Sequence, residues 1–160
     1  MLFRSKIRFK PGERLSHRQA VRVHVMARAL ASITTAGSGD VQVDGLQVPA
    51  FKLTLSGSSD ASVKGLATES FELRIAGSSD VTVAGRARQT SLSIAGSGDA
   101  HLADLASDEV NISIAGSGDA DVTANKSLTV SIAGSGDVRW GGAATAVKLS
   151  SAGSGSITKR

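Results

Sequence analysis

From about residue 31 to the C-terminus, apolar residues fall on every second position in short runs, and each run stops at the same kind of phrase. Ser93–Ala100 reads SIAGSGDA, Ser113–Ala120 repeats it, and Ser131–Val138 reads SIAGSGDV. Aligned on the first glycine of the phrase, the copies begin at Gly37, Gly57, Gly77, Gly96, Gly116, Gly134 and Gly153. The steps between them are 20, 20, 19, 20, 18 and 19 residues. A period this steady marks a repeat architecture.

Upstream of each glycine the alternation is strict. Leu53 and Leu55, Leu73 and Ile75, Leu92 and Ile94, Ile112 and Ile114, and Val130 and Ile132 occupy one face, with Thr54, Arg74, Ser93, Ser113 and Ser131 between them. A period of two predicts strands with one buried face. The alternation resumes after the Asp, at pairs such as Val81 and Val83 or Ala100 and Leu102. A second break follows at Gly45, Gly65, Gly85 and Gly142, and a third short run completes the unit. Each unit therefore holds about three short strands, and it buries its apolar side only by stacking on its neighbours. The pattern predicts an all-β chain: a right-handed parallel β-helix of about seven coils of 18–20 residues. A leucine-rich repeat has a period of this size but needs a Leu-x-x-Leu-x-Leu frame and a helical or 3₁₀ return that are not visible, and a propeller blade needs about forty residues. Phe51 and Phe71, twenty residues apart, are expected to stack.

The phrase GSGD first reads as a corner. Gly reaches positive φ, and Ser and Asp side chains bond nearby backbone groups in turns. Its acidic column, Asp40, Asp60, Asp80, Asp99, Asp119 and Asp137, gives way to Ser156 in the last copy. Carboxylates stacked one coil apart repel by roughly 1 kcal/mol per neighbour in water. Backbone N–H groups at the turn, or bound cations, must offset that. Ca²⁺ is the cation such oxygens would take, and AGSGD is a distant likeness of the calcium-binding nonapeptide. No other cofactor is indicated. A phosphate loop is disfavoured, because Asp stands where a P-loop needs Lys.

Composition narrows the core. Apolar residues make up 41% but aromatics only 3%, so small aliphatic side chains must fill the interior. There is no Cys, which excludes disulfides and thiolate metal sites. The net charge of +4 is uneven. Residues 1–30 carry eight Lys/Arg against Glu13 alone, and the rest carry ten against thirteen Asp/Glu. That segment, 1–30, stands apart as a basic N-terminal piece with a degenerate first coil, ahead of the repeat domain at 31–160. Its charges alternate with Ile7, Phe9, Val21, Val23 and Val25, so it reads as a strand with one wet face and not as a nucleic-acid arm. No apolar run is long enough to span a membrane, and Arg4, Lys6, Arg8 and Lys10 interrupt any signal-peptide core. His17 and His24 lie in this segment without a partner at ligand spacing.

Two outer columns are candidates for function. Five residues after each corner glycine stand Thr82, His101, Asp121 and Arg139, which a polysaccharide-acting enzyme would need to line a cleft. No catalytic residue is assigned, because coils of near-equal length build no walls; the plain expectation is a solvated ladder of complementary charges. The other candidate is a flat polar face: Ser91 and Ser93 beside Asn111 and Ser113, then Thr129 and Ser131, with Ala95, Ala115 and Ala133 along its edge. Such a face suits packing against an extended partner, a cell-surface or envelope protein, a polysaccharide, or a second copy of the chain. Trp140 is expected to turn inward.

SITTAGSGDVQVDGL, the recurring LxIAGSGDA and the late AGSGDVRWGG together resemble the head GIN domain family, over about residues 20 to 160. The resemblance implies a right-handed β-helical fold, an auto-transporter-adhesin-like role, and a place in the cell envelope or outside the cell. It carries over no catalytic residues. The reading is a non-enzymatic, adhesin-like binding module. Its alternatives are a polysaccharide-acting β-helix enzyme and a purely structural rod that self-associates by its ends or its face.

Overall fold

A computed structural model describes residues 30–160. The basic N-terminal segment, its two histidines and the degenerate first coil lie outside the described residues. Within them are ten strands and no helix: β1 (Ser32–Gly37), β2 (Val41–Asp44), β3 (Gln47–Gly57), β4 (Ala61–Gly77), β5 (Val81–Gly96), β6 (Ala100–Gly116), β7 (Ala120–Gly134), β8 (Val138–Gly141), β9 (Ala146–Gly153) and β10 (Ile157–Lys159). All pair in parallel, each with the strand one period away, in the order β1-β3-β4-β5-β6-β7-β8-β10, with β2 on β4 and β9 on β7. This is a β-solenoid of about seven coils.

The alternation of apolar and polar positions decides which side chains go in. Leu53, Leu73, Leu92, Ile112 and Val130 follow one another in register, as do Leu55, Ile75, Ile94, Ile114 and Ile132. All ten are buried. Phe51 and Phe71 stack with ring centroids 5.9 Å apart and planes 9° from parallel. The next places in that column are Thr90 and Val110. The Thr90 hydroxyl reaches the Ser107 hydroxyl at 2.8 Å, so two buried polar groups satisfy each other. Trp140 is buried, with Lys159 Nζ 4.7 Å from its ring centroid.

The first glycine of the phrase is obligatory at the corner. Gly96 has φ +128°, and a Cβ on it would collide with the Gly77 carbonyl oxygen one coil back. Differences in coil length are absorbed after the second run, where the register shifts between Val63 and Leu66, between Thr82 and Gly85, and between Leu102 and Ala106. The Ile column is closed by hydroxyls at both ends, Thr35 before Leu55 and Ser151 after Ile132. On β9 the inward positions Val147 and Leu149 are 38% and 45% exposed, at the open end of the core.

Candidate functional site

The acidic column is built by hydrogen bonds between coils, which differs from the local turn bonding expected from the phrase. The amide of Asp80 donates to Oδ1 of Asp60 (3.2 Å), Asp119 to Asp99 (2.9 Å), Asp137 to Asp119 (2.8 Å) and Ser156 to Asp137 (2.8 Å). Each of these four carboxylates thus caps the corner of the following coil, and the amide dipole offsets the repulsion along that part of the column; Asp40 and Asp80 make no such bond. The Ser156 hydroxyl adds a second bond to Asp137 Oδ1 at 2.8 Å. The backbone and hydroxyl donors of Ser156 hold the Asp137 carboxyl below its ordinary pKa. Corner serines also reach across. Ser59 Oγ donates to the Gly37 carbonyl at 3.0 Å, and Ser79 Oγ to that of Gly57. Among the described residues no three His, Cys, Asp or Glu side chains cluster as metal ligands would.

Asp99 is the corner residue just before β6 and His101 is the second residue of that strand, and both are on the outside of the coil. Asp119 and Asp121 are placed alike one coil on, then Asp137 and Arg139. The register places Thr82, His101, Asp121 and Arg139 side by side, as the repeat predicted. The acidic column and the His101 column, read separately in the sequence, therefore line one groove. Asp99, His101, Asp119, Asp121, Asp137 and Arg139 enclose about 120 Å³. The ion pair of Asp121 is made with an unexpected partner. Its Oδ1, shielded from water and without a hydrogen bond, lies 3.3 Å from Arg160 Nε. Arg160 reaches back two coils because Gly141 beneath it has no side chain, and it also donates to Thr123 Oγ1 at 3.1 Å.

The polar face is as regular as its spacing suggested. Ser91, Asn111 and Thr129 are in register, Ser93, Ser113 and Ser131 beside them, and all six are exposed. Toward the N-terminal coils the same columns carry longer side chains. Glu72 accepts from Lys52 Nζ at 3.1 Å and from Arg74 Nε at 2.5 Å, and these contacts, Lys52 first, hold its carboxyl below the ordinary value. A wide, open depression of about 450 Å³ lies on the third side, lined by Gln47, Val48, Pro49, Thr68, Glu69 and Arg86 among others; nothing in the sequence pattern singled it out.

Fold and site define an open-sided parallel β-solenoid with ladders of polar side chains on its exterior. Residues 6–144 match the family model described as "putative auto-transporter adhesin, head GIN domain", and the chain belongs to that family. A crystal structure described as a "putative adhesin" from Bacteroides fragilis is similar, at 26% identity and TM-score 0.78, over 82% of this chain and 61% of that one. A "putative lipid binding protein" from Parabacteroides distasonis is similar at 26% identity and TM-score 0.70, over 82% and 62%. The chain thus spans about three fifths of the length of these neighbours. No curated protein matches the sequence. Among the described residues no helix is long and apolar enough to cross a membrane.

Proposed function

We propose that this chain is a non-enzymatic, adhesin-like binding module of the cell envelope or cell surface, and that it holds an extended polysaccharide along the Asp99–Arg139 groove. One observation carries the reading. The groove repeats its chemistry once per coil, a carboxylate with a polar or charged neighbour, along the axis of the rod. A polymer that also repeats can meet such an array several times. Carboxylates and His101 accept from sugar hydroxyls, and Arg139 donates to ring and hydroxyl oxygens. Family membership and the descriptions of the two structural neighbours support a surface-binding role.

The enzyme alternative fits less well. Ligand and substrate pockets enclose about 300–1,000 Å³ and exclude water, whereas this groove holds about 120 Å³ and lies on the outside of the rod. The test is retention of the protein on insoluble envelope polysaccharide. Arg139→Ala and Asp119→Asn are expected to weaken retention at least tenfold; Asn keeps the Oδ1 acceptor for the Asp137 amide, so the corner survives. Retention equal to wild type in both variants would overturn the groove assignment. Binding to whole cells that is lost on protease treatment but kept after periodate would replace polysaccharide with a protein ligand.

A further inference from the structure

We infer that the outward face of the seven strands β1, β3, β4, β5, β6, β7 and β9 is an interface between two copies of this chain, stacked face to face with their rods antiparallel. The inference is independent of the groove, which lies on a different side of the coil.

The face is uneven in a way that complements itself. Its long side chains, Lys52, Glu72 and Arg74, sit on the second and third coils, whereas in the same columns the fourth to sixth coils carry only Ser, Thr, Asn and Ala; the adjoining column, at the edge of the face, holds Gln89 hydrogen-bonded to Glu109. A two-fold axis parallel to the strands and passing over the fourth coil exchanges the second coil with the sixth and the third with the fifth. It sets Lys52 of one copy over Thr129 of the other, Glu72 over Asn111, and Arg74 over Ser113. The tall half of each face meets the low half of its mate, and every charged group meets a neutral hydroxyl or amide. Lys148, on the last coil, falls over Ser32 on the first. The other face-to-face arrangement, with the axis along the rod, sets the second and third coils against their own copies, ridge against ridge. Symmetric interfaces are self-complementary in this way.

Size and solvation agree. Seven strands at about 4.8 Å spacing and some six residues of width make a face of about 30 by 20 Å. A pair then buries about 1,200 Å², at the lower edge of specific interfaces. Glu72 enters already paired with Lys52 and Arg74, which lowers the cost of desolvating these three charges. Parallel sheets are as a rule covered on both sides, and among the described residues only the inner side of this one is covered.

The absence of cysteine makes the test clean. Ser93 lies on the proposed axis and faces its own copy, whereas Ser150, on the last coil, faces the first coil of its mate. With a short bismaleimide, Ser93→Cys is expected to give the two-chain product in high yield and Ser150→Cys little. Sedimentation of the unmodified protein should show the mass rising from one chain toward two as concentration is raised to about 1 mM. Ser93→Arg should hold it at one chain with an unchanged melting temperature. A single-chain mass throughout, or equal cross-linking at both positions, would overturn the inference. Ser93→Arg should still be retained on polysaccharide, which separates this interface from the groove.

Discussion

A Cβ placed on Gly98 would lie 2.7 Å from Cγ2 of Ile75, one coil back in the core. The same relation recurs between Gly118 and Ile94 and between Gly136 and Ile114. At the equivalent corner of the preceding coil stands Ser79, and the residue one coil back from it is Leu55, which has no branch at Cβ. A Cβ on Gly98 would also lie 2.5 Å from the Ser79 carbonyl oxygen, so the second glycine answers to the backbone one coil back as well as to the Ile side chain behind it. Gly98→Ser is expected to cost about 1–3 kcal/mol through overpacking. Ile75→Leu should restore part of it, with a coupling of about 1 kcal/mol in a double-mutant cycle by chemical denaturation. Strict additivity of the two changes would refute the link.

The acidic column makes stability depend on pH. The carboxyls of Asp137 and Glu72 titrate below their ordinary values in the fold, the first because Ser156 donates to it and the second chiefly because Lys52 does. A depressed folded pKa contributes stability that is fully present above the unfolded value and is lost as pH falls through the folded one. The midpoint of unfolding should hold steady above about pH 5 and fall below about pH 4. In Asp137→Asn the fall should be shallower. An equally steep fall in the variant would assign the acid sensitivity elsewhere.

Calcium supplies a separate check on the same column. Oδ1 of Asp60, Asp99, Asp119 and Asp137 is already engaged by an amide of the following coil. Melting with and without millimolar Ca²⁺, with a chelator control, is therefore expected to give the same temperature. A ligand that binds only the native state raises it, so a clear calcium-dependent rise would make the column a metal site.

Arg160 fastens the last strand. It spans from β10 to Asp121 and Thr123, two coils away, in partly exposed positions. Arg160→Ala should cost no more than about 1 kcal/mol globally. Its local effect should be larger: hydrogen exchange at the Val138 amide, which bonds the Ser156 carbonyl, should quicken, while the Ala120 amide one coil deeper is unaffected. Equal change at both would mean that Arg160 stabilises the whole rod.

Period and alternation alone place the coils, the Leu and Ile columns, the Phe51–Phe71 stack and the inward turn of Trp140. Each follows from residues that repeat in a lattice, where a position's neighbours are its own copies. What escaped was contact between different columns. The Asp side chains were expected to serve their own turns, but the acceptor needed is one coil away, a distance that a linear reading of GSGD does not express. Asp99 ends the corner and His101 opens the strand that follows, and the direction of the corner side chain, which decides that the two share a groove, is not expressed by the repeat. The Thr90–Ser107 pair and the reach of Arg160 to Asp121 depend on side-chain direction and on the gap left at Gly141, and the repeat contains no sign of either.

The proposal that the groove binds without turning over is tested most directly by incubating the protein with envelope polysaccharide and measuring retention and new reducing ends in the same sample. The account predicts retention that depends on Arg139, with no new reducing ends. Reducing ends that accumulate with the wild-type chain and vanish with His101→Ala would contradict it, and would make the His101, Asp121 and Arg139 column an active site.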